Sequence, residues 1–317
     1  MNEWVRWIGI GVVVLVAVYV AAGAIGTSAV LNHLLTPGGV DWAGYNNPDP
    51  PQDPFELGYR GDPQAALGLP FETVSIDTEL GPAEAWFVPA ANMDGPWAVY
   101  VHGIGGIREN GYRQLAILHE ADVPTLMITY RNDRGAPGEE RALYSFGMNE
   151  WRDVDAAVGW MVDRGAPGII LVAESMGGAI AGQFLMHSEK ADKVVALALD
   201  APALDFVELV ADKLGARALP FAHTLASAGV AVFDAYRGAS LSGAVSLGAV
   251  ADFPGPLFLA HGATDSLVPV TISDRLAAKR TAPTTYVRTN AQHLRSFKEN
   301  PERYRGEMLG WLNSLGG

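Results

Sequence analysis

Apolar and polar positions change their spacing several times along the chain, and each change marks a different kind of element. From Trp7 to Ile25 no side chain is charged, and the centre, Val12 to Val20, is almost continuously apolar. A run of this kind has no amphipathic face and is long enough to cross a bilayer core, which needs about 20 apolar residues. A cleaved signal peptide is the competing reading, with Ala22-Gly23-Ala24 as the cleavage site. The apolar region is longer than such peptides use, and Arg6 is the only basic side chain before it, so a retained anchor over residues 1–26 is favoured. No Lys or Arg follows until Arg60. The positive-inside rule then leaves the N-terminus in the cytoplasm and the rest of the chain outside the cell membrane.

Residues 27–70 are rich in Pro, Gly, Asn and Asp, as in Asn46-Asn47-Pro48-Asp49-Pro50-Pro51, and read as a linker or irregular lead-in. Phe71 to Glu79 and Ala83 to Val88 alternate around Leu80-Gly81-Pro82 and predict a hairpin. Strand-like runs at Trp97–Val101, Thr125–Tyr130, Ile169–Val172, Val194–Leu199, Leu257–His261 and Thr284–Val287 then alternate with helical periods. Those fall at Tyr112–Ala121, Asn149–Arg164, Ala179–His187, Ile272–Arg280 and Pro301–Leu315. The rhythm predicts an α/β domain over residues 71–317, a mostly parallel eight-stranded sheet with helices on both faces. The interval 203–252 interrupts it with helix-compatible apolar sequence, the signature of a small helical cap. Leu204, Phe206, Leu219, Phe221 and Phe233 could line an apolar acyl pocket there or form the core of the cap itself.

Chemistry concentrates at the strand ends. Residues 168–178, Gly-Ile-Ile-Leu-Val-Ala-Glu-Ser-Met-Gly-Gly, are a buried-strand run followed by a serine between small residues. This is the pattern of a nucleophile elbow, where a strand turns sharply into a helix and holds Ser175 at the tip. The usual form is G-x-S-x-G; Ala173 replaces the first glycine, the mildest available change. Downstream, Asp265 follows the run Leu257–His261, and His293 follows Thr284–Val287, giving the chain order serine, acid, histidine. Such a histidine can serve Ser175 as general base while the carboxylate orients it. Asp200, which ends Val194–Leu199, is a rival acid, and Asp205 a weaker one. His261 reads as packed beneath its loop, His102 as a brace for the loop it begins, and His33, His119, His187 and His223 as structural. After Trp97–Val101 comes His102-Gly103-Ile104-Gly105-Gly106, whose backbone could supply the Ile104 amide, with that of Met176, as an oxyanion hole.

These motifs, with Glu150-Trp151-Arg152-Asp153-Val154 and the Val268-Pro269 pair after Asp265, resemble the α/β-hydrolase superfamily. In particular they are similar to bacterial membrane-anchored members related to the serine aminopeptidase and Bem46-like group. The resemblance spans about residues 70–315. It implies the α/β-hydrolase fold, catalytic roles for Ser175, Asp265 and His293, and an esterase, lipase or peptidase activity.

Composition narrows the partners. The formal net charge of −13 disfavours nucleic acid and anionic headgroups as electrostatic partners. The chain has no cysteine, lacks H-E-x-x-H, and its glycine loop has neither G-x-G-x-x-G nor GK[ST], so no metal and no cofactor is expected. The expectation is a serine hydrolase acting on a small-molecule ester or lipid-like substrate, held at the membrane by its N-terminal helix. A peptidase, amidase or thioesterase would use the same residues, and a catalytically silent tethered binding protein would keep only the fold.

Overall fold

The computed structural model describes residues 3–42, 44 and 47–316; Asn46 of the Pro/Asn run lies outside them. Helix α1 (Glu3–Leu35) is one uninterrupted helix of 33 residues, about 50 Å long at 1.5 Å per residue. The lead-in expected from residue 27 is therefore helical as far as Leu35. The reason is local: the sequence carries no Gly or Pro between Gly26 and Thr36-Pro37-Gly38-Gly39, and the proline there disfavours a helical residue before it. A short helix, α2 (Pro63–Leu67), breaks the lead-in again, capped by the Asp62 carboxylate on the Ala65 amide.

The predicted hairpin forms as β1 (Glu72–Thr78) and β2 (Gly81–Val88), antiparallel, with Thr78 opposite Gly81. There follow β3 (Trp97–Val101), α3 (Tyr112–Glu120), β4 (Thr125–Ile128), α4 (Trp151–Val162), β5 (Ile169–Glu174), α5 (Met176–His187) and β6 (Val194–Asp200). The second half holds α6 (Phe206–Ala216), α7 (Ala222–Arg237), α8 (Leu247–Asp252), β7 (Leu257–Gly262), α9 (Thr271–Lys279), β8 (Thr284–Thr289), α10 (Ser296–Glu299) and α11 (Pro301–Asn313). The described strands make one eight-stranded sheet in the order β1-β2-β4-β3-β5-β6-β7-β8, parallel from β4 to β8. Strands β3, β4, β5 and β7 are buried along their whole length. That explains why they read as continuous apolar runs rather than alternating ones.

Two boundaries carry physical information. β4 stops at Ile128, before the expected Tyr130, because the Tyr130 amide leaves the ladder and donates to the Asp133 carboxylate at 2.8 Å. α5 begins directly at Met176, three residues before its apolar period, because the elbow turns without a loop. Helices α6 to α8 occupy the predicted interval between β6 and β7. α6 packs on α7, and α7 packs along the second half of α1, where Ala24, Thr27, Ser28, Leu31 and Leu35 are buried.

Candidate active site

Ser175 stands between β5 and α5 with φ 53° and ψ −118°, a conformation that L-residues avoid. The surrounding backbone holds it there. The Ser175 amide donates to Asp200 O at 2.9 Å, and its carbonyl accepts from Gly178 and Ala203, both at 3.0 Å. The elbow presses against the end of β3: a Cβ on residue 177 would lie 2.3 Å from Val101 O, so only glycine fits. Ala173, buried in β5, has its methyl accommodated in the sheet core.

The three residues expected to act together are brought together. His293 Nε2 lies 3.0 Å from Ser175 Oγ, and His293 Nδ1 lies 2.6 Å from Asp265 Oδ2. The other carboxylate oxygen, Oδ1, accepts from the Leu267 and Val268 amides at 2.8 and 2.9 Å. Burial pushes the Asp265 carboxyl up, but hydrogen bonds from His261 and His293 outweigh it and hold it well below the usual range. It is therefore charged throughout the neutral range and can fix the imidazole orientation. Gly103 closes on this group; a Cβ there would sit 3.0 Å from Ser175 Cβ. Ile104 lines the same cavity as Ser175 and His293, and Met176 is buried at the first position of α5, whose positive end faces the elbow.

The remaining expected residues take other positions. Asp200 is not a partner of His293; its Oδ2 accepts from Tyr304 at 3.2 Å. Asp205 caps α6, accepting from the Glu208 amide at 3.0 Å. His261 is fully buried beneath the loop, with Ser273 Oγ at 2.7 Å and Val268 O at 3.0 Å, and its Nε2 also approaches Asp265 Oδ2 at 3.2 Å. His102 braces the glycine loop: its ring stacks on Tyr130 with centroids 4.2 Å apart, and Nε2 meets Asp133 at 2.8 Å. Of the cap side chains, Phe206 and Leu219 line the cavity, Leu204 and Phe233 are fully buried in the core, and Phe221 is exposed. Core packing took the two that lie closest to the sheet or face inward on α7.

Two features escaped the sequence reading. The first is a buried polar cluster behind the serine. Glu174 accepts from Gln114 Nε2 at 2.7 Å, from Tyr100 Oη at 2.8 Å and from the Arg113 guanidinium. Arg113 in turn donates to Asn110 O at 3.3 Å and to Leu294 O at 3.2 Å, beside His293. The only sequence signal was an Arg-Gln pair on the inward face of α3, where apolar residues are the norm. Burial and the neighbouring Glu174 carboxylate push the Asp200 carboxyl up to about 7. The unfolded chain loses that proton near pH 3.8, whereas the folded protein keeps it to about pH 7, so this site takes stability away as pH rises between the two. Asp200→Asn is accordingly expected to raise Tm at pH 8 by on the order of 5 °C over the parent and to lose most of that advantage at pH 4. Equal Tm differences at both pH values, measured by circular dichroism, would contradict the assignment.

The second feature is the cavity itself. It measures about 880 Å³, contains Ser175 and His293, and is walled on one side by α6 and on another by the second half of α1. The signal was present but unread: small and apolar residues recur at steps of three and four from Gly23 onward.

Comparison with known proteins agrees with this architecture. No curated protein matches the chain in sequence. An esterase from Pyrococcus furiosus superimposes with a TM-score of 0.61 at 19% identity, covering 85% of this chain and 98% of the other. A membrane phospholipase A, described as a bacterial virulence factor, gives 0.54 at 16% identity, covering 78% and 87%. An esterase from Rhodococcus sp. gives 0.53 at 16% identity, covering 77% and 99%. At these identities the likeness speaks to the fold. A profile of the alpha/beta hydrolase family matches residues 98–307, a span running from β3 to α11. The chain belongs to the alpha/beta hydrolase family and is a hydrolase.

Proposed function

We propose that this protein is a carboxylesterase acting through a Ser175–His293–Asp265 triad on esters with apolar acyl groups. The observation that carries the reading is the unbroken chain of contacts from Asp265 Oδ2 through both nitrogens of His293 to Ser175 Oγ, opening on an apolar cavity. His293 takes the Ser175 proton as Oγ attacks the ester carbonyl, forming a tetrahedral intermediate. The charge that develops on the carbonyl oxygen falls to the Ile104 and Met176 amides, assisted by the N-terminus of α5. His293 then returns the proton to the leaving alcohol, and the acyl group stays on Ser175. Water, deprotonated by the same imidazole, attacks the acyl-enzyme and releases the acid. The buried Asp265 carboxylate orients the ring and balances the imidazolium in each half.

α1 is long and apolar enough to span a membrane. Arg6 precedes the span and no Lys or Arg follows before Arg60. We read this as a cytoplasmic N-terminus, with the hydrolase domain outside, tethered to the cell membrane. Labelling by a fluorophosphonate probe tests the nucleophile: the parent protein is expected to label and Ser175→Ala is not. Matched ester and amide substrates test the bond. A preference for amides, or for esters with charged acyl groups, would replace this reading with a peptidase or amidase using the same residues.

A further inference from the structure

The cavity at Ser175 is not enclosed by the hydrolase domain alone. Gly26, Thr27, Val30, Leu31, Leu34 and Leu35 of α1 line it together with Ser175 and His293. Their spacing places them on one face of the helix. The same helix continues without a break toward its N-terminus, where Trp4 to Val18 present exposed apolar side chains over a length able to cross a bilayer. One wall of the cavity therefore runs directly into the membrane-spanning segment.

This wall is fixed in place rather than tethered loosely. α7 lies so close that a Cβ on Gly229 would fall 2.5 Å from Thr27 Cβ. Arg237 reaches Asn32, and its guanidinium also donates to Thr36 Oγ1 at 3.1 Å. Trp42 donates from its indole to Leu34 O at 3.1 Å, and its ring covers Gly105 in the glycine loop. Nearer the N-terminus, the Tyr19 hydroxyl donates to Pro220 O at 3.0 Å. Tyr19 lies about 24 Å along the helix from Glu3, short of the roughly 30 Å of a hydrocarbon core. With the span counted from Glu3, the Pro220 turn therefore comes level with the lipid rather than standing clear of it. Its neighbours there are Leu219, 38% exposed, and Phe221, 61% exposed. Large apolar side chains exposed at that level suit contact with lipid rather than with water.

We infer that α1 is the membrane-side wall of the acyl site and that the substrate is a bilayer lipid whose acyl chain slides along α1 to Ser175 without leaving the apolar phase. This rests on the hydrolase reading above and adds the substrate class and the element that selects it. The α1 wall between Gly23 and Leu35 is about 18 Å long, enough to accommodate most of a long acyl chain.

Gly26 offers a clean test. A Cβ there meets nothing within 4 Å, so a side chain can be added without displacing backbone, and glycine is a poor helix former in any case. Gly26→Phe and Val30→Trp obstruct the wall, whereas Ile25→Trp, 63% exposed and outside the cavity lining, is the control. The full chain is reconstituted in vesicles of zwitterionic phosphatidylethanolamine and phosphatidylcholine, which the net charge of −13 does not repel, and released fatty acid is measured beside turnover of p-nitrophenyl palmitate and butyrate. The parent is expected to cut the vesicle lipid. In both obstructing variants the palmitate-to-butyrate ratio of kcat/KM is expected to fall at least about tenfold, the worth of roughly two buried methylene groups, and lipid cleavage to fall with it. Ile25→Trp is expected to keep the parental ratio. An unchanged ratio in variants with parental Tm overturns the wall assignment. Turnover of soluble palmitate ester with no cleavage of vesicle lipid overturns the lipid assignment. A parent inactive on every ester, including butyrate, overturns the hydrolase reading itself.

Discussion

Ser175→Ala is expected to lower kcat/KM on a butyrate ester by on the order of 10⁶, and Asp265→Asn by on the order of 10⁴. The first value reflects loss of the covalent route: without Oγ, only the donors and the cavity remain to act on a water attack. The second follows from geometry. Asp265 Oδ2 accepts from His293 Nδ1 at 2.6 Å, and an amide nitrogen at that place favours the imidazole tautomer that protonates Nε2, the atom that takes the Ser175 proton in the proposed mechanism. His261 offers a second hydrogen-bond partner to the same oxygen at 3.2 Å, but it faces Ser273 and Val268 rather than the serine. His261→Gln is therefore expected to cost far less than His293→Gln in the same assay. Equal losses from both would move the general base to the wrong ring.

Arg113→Met is expected to destabilise the protein by about 3–5 kcal/mol, the usual cost of removing one partner of a buried ion pair. Both sides of the pair are almost wholly enclosed, with side-chain exposures of 2% for Arg113 and 1% for Glu174. Removing the guanidinium leaves the Glu174 carboxylate facing the Asp200 carboxyl and the Tyr100 and Tyr304 hydroxyls, with no positive charge to balance it. Chemical denaturation measures the loss. Arg113 also holds the Leu294 carbonyl, one residue from His293, in a segment where Leu294 itself has φ 55°. We therefore expect kcat to fall as well, by more than in variants of equal stability elsewhere in the core. Recovery of stability in the double variant Arg113→Met with Glu174→Met, with kcat still reduced, would separate the ion-pair cost from the positioning of His293.

Much of the architecture could be read from local pattern. Strands β3, β4, β5 and β7 are buried on both faces, so their residues form unbroken apolar runs, and the hairpin β1–β2 carries its own turn. Ser175 was legible because its backbone strain demands small neighbours within two residues. Asp265 and His293 were legible because each follows a strand run, in the chain order the fold requires. What local pattern could not resolve was competition. Asp200 and Asp265 both end apolar runs, and only the sheet order, which sets β7 beside β8 and Asp265 beside His293, separates them.

A buried parallel sheet, a serine elbow and an apolar N-terminal helix follow from local pattern, because each depends on side chains a few residues apart. Folding sets which carboxylate meets His293, pairs Arg113 with Glu174 behind the serine, and makes α1 a wall of the cavity as well as a candidate span. These depend on contacts between segments distant along the chain, such as Arg237 with Thr36, Arg113 with Leu294 and His293 with Ser175. Nothing in the composition of either partner announces the other; close packing of the folded chain makes them neighbours.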